Sequence, residues 1–133
     1  MEGYSFVEAV EDKKSIVYAG VVKNGNKITL VISFEINSES SISTYTNISL
    51  GKFNIPSTIG EKLFANSLGY LDIRPCVVYK NPSTNKNLVA LVQKISNTQL
   101  EVMLNTISQS LDAETTYTGR EEVTFLLSEN LAS

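Results

Sequence analysis

The segment from Lys27 to Ile36 places an apolar side chain at every second position, and this alternation constrains the fold more than any other feature. The alternating apolar residues are Ile28, Leu30, Ile32, Phe34 and Ile36. A period of two puts these side chains on one face of a β-strand, so the segment predicts a half-buried antiparallel strand. Asn24-Gly25-Asn26 precedes it and follows the β-branched run 15–23. Because Asn-Gly tolerates the positive φ of a type I′ turn, we expect a hairpin here.

Six further segments have strand character and are separated by polar turns. They cover residues 44–50, 52–55, 70–80, 88–95, 99–104 and 121–127. Gly51 is expected to interrupt the strand pattern. Pro75 predicts a kink, a split or a sheet edge, because proline cannot donate a ladder hydrogen bond.

One internal segment, residues 57–66, has helical character. We expect one or two turns, with Ser57 as the N-cap residue. An inward face would be formed by Ile59, Leu63 and Phe64.

About seven to nine short strands without a long helix between them argue against βαβ crossovers and a parallel sheet. The prediction is an all-β fold, an antiparallel β-sandwich or jelly-roll-like structure with at most one short helix. The chain has 133 residues, the size of one domain. We assign residues 15–133 to the β-sandwich domain and residues 1–14 to a connector or neck segment.

Composition excludes several kinds of chemistry. The chain has no His and one Cys, so it has no Ser-His-Asp or Cys-His catalysis, no intrachain disulfide and no thiolate zinc cluster. It carries no phosphate-binding or metal-binding sequence motif, and we predict no catalytic residue, no metal site and no cofactor. A net charge of −3 argues against nucleic acid as a partner. No apolar run is long enough to insert into a membrane.

Three residual chemistries have weaker support in the sequence. Cys76 follows Pro75 and precedes Val77, which favours a small core residue over a reactive thiol. Asp112 and Glu114 supply only a few of the oxygen ligands that calcium requires. A glycosidase would need two carboxylates within about 5–10 Å of each other. The acidic residues of this chain are better explained as solvated positions on strand faces and in loops.

A binding surface is the remaining functional class. Tyrosines adjoin planar amide or guanidinium groups at strand ends and in polar loops. An aromatic face stacks on the apolar C–H groups of a sugar, while amides and guanidinium groups hydrogen-bond its hydroxyls. The alternative for each tyrosine is a strand residue with a solvated hydroxyl. The candidate ligand-binding residues are Tyr45, Asn47, Tyr79, Asn81, Tyr117 and Arg120.

The order of strands and turns over roughly residues 15–127 resembles the C-terminal receptor-binding (head) domains of tail-fibre and baseplate proteins from phages of Gram-positive bacteria. The resemblance rests on a strand with an Asn-Gly turn, an alternating strand, a polar strand leading to Ile55-Pro56, a second hairpin and a closing strand. These pieces are residues 21–26, 27–33, 50–56, 88–102 and 122–126. The second hairpin turn departs from the pattern, with Asn97-Thr98 where many such heads have glycine.

The resemblance implies a homotrimeric β-sandwich at the phage tail tip, brought to the host cell surface on adsorption. It implies non-enzymatic binding of bacterial cell-wall polysaccharide or teichoic acid. Trimerisation would account for apolar residues on the outer faces of strands, such as Val31 and Leu126. The rival hypothesis is a structural virion component, a capsid-decorating or tail-assembly domain with the same fold class.

Overall fold

The computed structural model describes residues 3–9, 14–64, 67, 69–80 and 84–126. These residues form eight strands and one short helix. They are β1 (Ser5–Glu8), β2 (Lys14–Asn24), β3 (Lys27–Ile36), β4 (Asn47–Asn54), α1 (Ser57–Gly60), β5 (Tyr70–Lys80), β6 (Thr84–Ser96), β7 (Gln99–Asn105) and β8 (Tyr117–Leu126). The predicted all-β class with at most one short helix is confirmed over this part of the chain.

The strands form one antiparallel sheet in the order β1-β4-β7-β6-β5-β8-β3-β2. The sheet curls around a single core, so that its terminal strands β1 and β2 approach each other without pairing. The result is a sandwich closed almost into a barrel, which leaves few free backbone edges. No helix in the described ranges is long and apolar enough to cross a membrane.

The core is built from the alternating residues of the strands. In β3, Ile28, Leu30, Ile32, Phe34 and Ile36 are all buried, as the period of two predicted. Phe53 from β4, Val92 from β6 and Leu104 from β7 are also buried in this core.

The β2–β3 hairpin differs from the predicted turn type. Asn24 pairs with Lys27, so Gly25 and Asn26 are the two central residues. Gly25 has φ 62, and Asn26 is not among the residues with positive φ. A positive φ at the first central position alone is the pattern of a type II′ turn, whereas type I′ requires it at both.

Two segments of the first half differ in secondary structure from what the sequence predicts. Residues Ser5–Glu8, within the expected connector, form β1 and pair with Gly51–Asn54 of β4. Gly51 does not interrupt a strand: it lies inside β4 with φ 145, at a register shift against β7. Glycine tolerates that φ, so β4 bends there and continues.

The helix lies in the predicted segment, but its N-cap residue and its inward face differ from the prediction. Pro56 is its N-cap residue, and Ser57 is the first helical residue without a side-chain cap. Ile59 and Leu63 are buried as expected, but Phe64 points into solvent.

The antiparallel arrangement gives the sheet two ends. At one, called the loop end, β3 gives way to loop 37–46 and β7 to loop 106–116; an isolated bridge between Ile42 and Leu111 joins these loops. The other, called the turn end, carries the β2–β3 turn, helix α1 and the last residues of β8.

Candidate functional site

The six predicted binding residues do not form one cluster. Asn81 lies outside the described residues. Tyr117 is only 1% exposed, and its hydroxyl accepts a hydrogen bond from the Asp112 N–H at 2.9 Å. A ring in the core cannot present a face to a sugar, so the structure removes Tyr117 from the predicted site.

Tyr45 projects from the loop end with 73% of its surface exposed. Its backbone has φ 55, an uncommon value for a residue other than glycine. The Tyr45 N–H donates to Ile107 O at 2.7 Å, and buried Thr106 accepts a bond from the Thr46 N–H at 2.9 Å. The loop therefore holds an exposed aromatic ring in a fixed backbone position.

Asn47, the neighbour predicted to assist Tyr45, is already engaged. Its Oδ1 accepts a hydrogen bond from Asn105 Nδ2 at 2.7 Å across the β4–β7 pair. A ligand at Tyr45 would therefore meet an amide whose acceptor has a partner.

Tyr79 and Arg120 lie together on a different surface, separated from β4 by β7 and β6. Tyr79 is 54% exposed and pairs with Thr118 of β8. Arg120 lies two residues beyond Thr118, so Thr118 and Arg120 share the outer face of β8. The structure thus brings two of the predicted residues together.

The same outer face carries a tyrosine that the sequence analysis missed. Tyr18 pairs with Ser33, and Ser33 pairs with Arg120 on the other side of β3. Tyr18 is 57% exposed, and its hydroxyl lies 2.5 Å from the position a Cβ would take on Gly20. Because Gly20 has no side chain, the Tyr18 ring can extend along β2 over Gly20. The signal was Tyr18-Ala19-Gly20, since residues two apart share a strand face.

We call this surface the outer platform and define it by one shared property: its side chains all leave the sheet on the solvent side across β2, β3, β8 and β5. Its members are Tyr18, Ser33, Thr118, Arg120, Glu122 and Tyr79.

The platform's charges largely cancel. Arg120 Nη1 lies 3.1 Å from Glu122 Oε2, and both side chains are more than half exposed. Glu35 lies opposite Thr118 at the edge of this surface and adds a negative charge. An exposed ion pair of this kind contributes little stability, so the guanidinium group is free to hydrogen-bond a ligand.

The one thiol lies beneath the platform, on the inner side of β5. Burial raises the pKa of Cys76 to about 12, with the charge of Glu121 and a hydrogen bond to it acting in the same direction. Cys76 is therefore a protonated core residue, and the structural interpretation is confirmed.

Glu121 faces inward beside Cys76 and is half-buried. Burial raises the pKa of this carboxyl, while the hydrogen bond from Cys76 and the charge of Arg74 oppose the rise. Asp72 also faces it and acts with the burial.

Of the two carboxylates weighed for calcium, that of Asp112 forms an ion pair. Asp112 Oδ2 lies 2.8 Å from Lys80 Nζ, and this partner lowers the pKa of Asp112. Glu114 lies in the following turn with φ 53, and its N–H donates to Ser38 O.

A cleft at the turn end lies where β5 and β8 diverge. Its walls combine apolar side chains with polar groups, including an ion pair between Arg74 Nε and Asp72 Oδ2 at 3.2 Å. Phe64, 77% exposed, and Leu126 stand at its rim. The exposed apolar side chains at this rim suit contact with protein better than contact with a sugar.

Comparison with known proteins gives matches in structure alone. The sequence matches no protein-family model and no curated protein sequence. The fold is similar to the Ad16 fibre knob, with a TM-score of 0.54 at 9% identity over 96% of this chain and 98% of that one. It is also similar to the human adenovirus type 21 fibre knob, with a TM-score of 0.57 at 12% identity over 94% and 92% of the two chains.

These matches extend over nearly the whole of both chains, so the similarity concerns the complete domain and not a shared motif. At such low identity they establish the fold. The chain has the architecture of a viral fibre knob.

Proposed function

We propose that this chain is a non-enzymatic receptor-binding head of a phage tail protein and that it recognises host cell-wall carbohydrate. The observation that carries the proposal is the fibre-knob fold over 94–96% of the chain. The strand-and-turn order of the sequence, which resembles phage head domains, supports the same role.

The available chemistry supports binding without catalysis. The chain has no histidine, and its one thiol is buried and protonated. The exposed polar surface consists largely of neutral hydroxyl and amide groups. Such groups hydrogen-bond sugar hydroxyls without the salt dependence of charged contacts.

We further propose that the head works as a homotrimer at the tail tip. The exposed apolar side chains at the turn end, Phe64, Ile73 and Leu126, are a surface that copies of the chain would cover. Light scattering should give three times the 14.6 kDa chain mass. A monomer at micromolar concentration would contradict the trimer.

Competition for adsorption tests the receptor-binding role. Purified chain added to host cells should reduce adsorption of the virus that carries it, in proportion to the cell surface occupied. Full adsorption in the presence of saturating chain would favour the rival role, a structural virion component. Phe64→Ala would serve in the same assay to separate loss of trimer avidity from loss of the binding site.

A further inference from the structure

We propose that the outer platform binds a neutral oligosaccharide, laid across the strands from Tyr18 to Tyr79. This inference rests on the proposed function and deepens it, because it names both the surface and the class of glycan. It selects neutral wall polysaccharide over anionic teichoic acid.

The first argument is the placement of the aromatic rings. Tyr18 on β2 and Tyr79 on β5 are separated by β3 and β8, which are three steps in the sheet. At about 4.8 Å for each step, and with Tyr79 two residues along the strands from the row of Tyr18, the two backbone positions are about 16 Å apart. That span accommodates a few sugar rings in a row, so both tyrosines contact a single oligosaccharide.

The orientation of the Tyr18 side chain also supports sugar binding. Its ring lies over Gly20, which has no side chain that would hold the ring away from the sheet. A ring lying against the sheet presents one face to solvent, and the apolar C–H face of a sugar stacks on such a face.

The third argument concerns the groups between the rings. Ser33, Thr118 and Arg120 occupy the surface between the tyrosines. Hydroxyls both donate and accept, and the guanidinium group offers several donors in a plane. Hydroxyl-rich ligands satisfy all of them.

The charge of the outer platform indicates which class of glycan it binds. Arg120 is paired with Glu122, and Glu35 adds a further negative charge at the edge. A polyanionic teichoic acid would meet no excess of positive charge here, and electrostatic recognition of phosphate requires one. Binding of a neutral polysaccharide does not require an excess of positive charge.

The test measures binding of the full chain to two probes, the neutral polysaccharide and the teichoic acid purified separately from Gram-positive cell walls. We expect binding to the neutral polysaccharide that changes less than about twofold between about 0.05 M and about 0.5 M salt. Tyr18→Ala and Tyr79→Ala should each weaken it about tenfold. Tyr18→Phe and Tyr79→Phe, which keep the rings, should bind within about twofold of the parent chain.

Tyr45→Ala is the matched control, because it removes an exposed tyrosine ring away from the platform. Thermal unfolding of each variant checks that the fold is intact. Parent-like binding by this control supports the platform.

Several outcomes would overturn the inference and leave the proposed function standing. One is unchanged polysaccharide binding in both platform alanine variants, or loss of binding in Tyr45→Ala alone. Another is binding to teichoic acid that weakens steeply with salt. A third is a platform variant that changes the mass in solution, which would make this face a contact between copies. If the parent chain binds neither probe nor whole cell walls, the proposed function itself fails.

Discussion

Phe34 and Gly119 lie directly opposite each other on β3 and β8, and the Phe34 ring fills the space above Gly119. A Cβ on residue 119 would lie 2.6 Å from Phe34 Cζ and 3.1 Å from Val78 Cγ1. Phe34 is among the most completely buried side chains of the core. The seam between β3 and β8 thus depends on a glycine for packing and not for backbone freedom.

Gly119→Ala should therefore destabilise the fold. The buried ring has no free space to move into, and overpacking a core of this kind costs about 1–3 kcal/mol. Urea unfolding measures the loss. Gly20→Ala is the control, because its added methyl group meets only the mobile end of Tyr18, and we expect a change within about 0.5 kcal/mol. Equal unfolding midpoints for the two variants would contradict the packing argument.

Cys76 should be unreactive in the folded chain. With a pKa of about 12 in place of 9.0, its thiolate population at neutral pH falls about a thousandfold. A thiol reagent should modify the chain only as urea unfolds it, with the labelling curve following the unfolding curve. Rapid stoichiometric labelling in native buffer would show that the thiol is neither buried nor protonated as described.

Glu121→Gln should stabilise the fold at about pH 7 and make no difference near about pH 3. Burial raises the pKa of Glu121, so the folded state holds this proton more tightly than the unfolded state. The stability that this proton provides is present at low pH and is lost as pH rises through the folded-state pKa. Glutamine cannot ionise and avoids that loss.

The measurement for Glu121 is the urea midpoint of variant and parent at several pH values. The pKa of Asp112 is lowered by Lys80, so its contribution has the opposite sign and is lost as pH falls. The contribution of Glu121 is therefore obtained from the difference in urea midpoint between the variant and the parent at each pH. A glutamine variant that is less stable than the parent at neutral pH would contradict the account.

Tyr117→Phe should cost about 0.5–1.5 kcal/mol, because the Asp112 N–H loses the acceptor that the Tyr117 hydroxyl provides. The ring itself stays and keeps its place in the core, so the change reports on this one bond. Tyr45→Phe, which alters an exposed ring, should be within about 0.5 kcal/mol of the parent. Thermal or urea unfolding distinguishes the two.

The strands that the sequence predicts best are those with one face buried and one face in water. In β3 the burial of every second residue from Ile28 to Ile36 repeats the sequence pattern. Strand β1 has no such pattern, because three of its four residues are exposed and its position depends on pairing with distant β4. Local sequence carries little information about that kind of pairing.

The candidate site was predictable only in part, for a related reason. Extending the period of two backwards from Val123 reaches Tyr117, which places that ring in the core. The polar residues before β8 do not show where the strand begins. The sequence therefore does not show that Tyr117 lies on the same face of the strand as Val123. Tyr79 and Arg120 were recognised singly, but only the β5–β8 and β3–β8 pairings bring them onto one surface with Tyr18.

Binding of the purified chain to isolated Gram-positive cell walls tests the central claim most directly. Walls should be compared before and after chemical removal of their polysaccharide and teichoic acid. We expect the chain to sediment with intact walls from its host and to stay in solution with stripped walls. Equal sedimentation with both, or none with intact walls from any host tested, would contradict a head domain that recognises cell-wall carbohydrate.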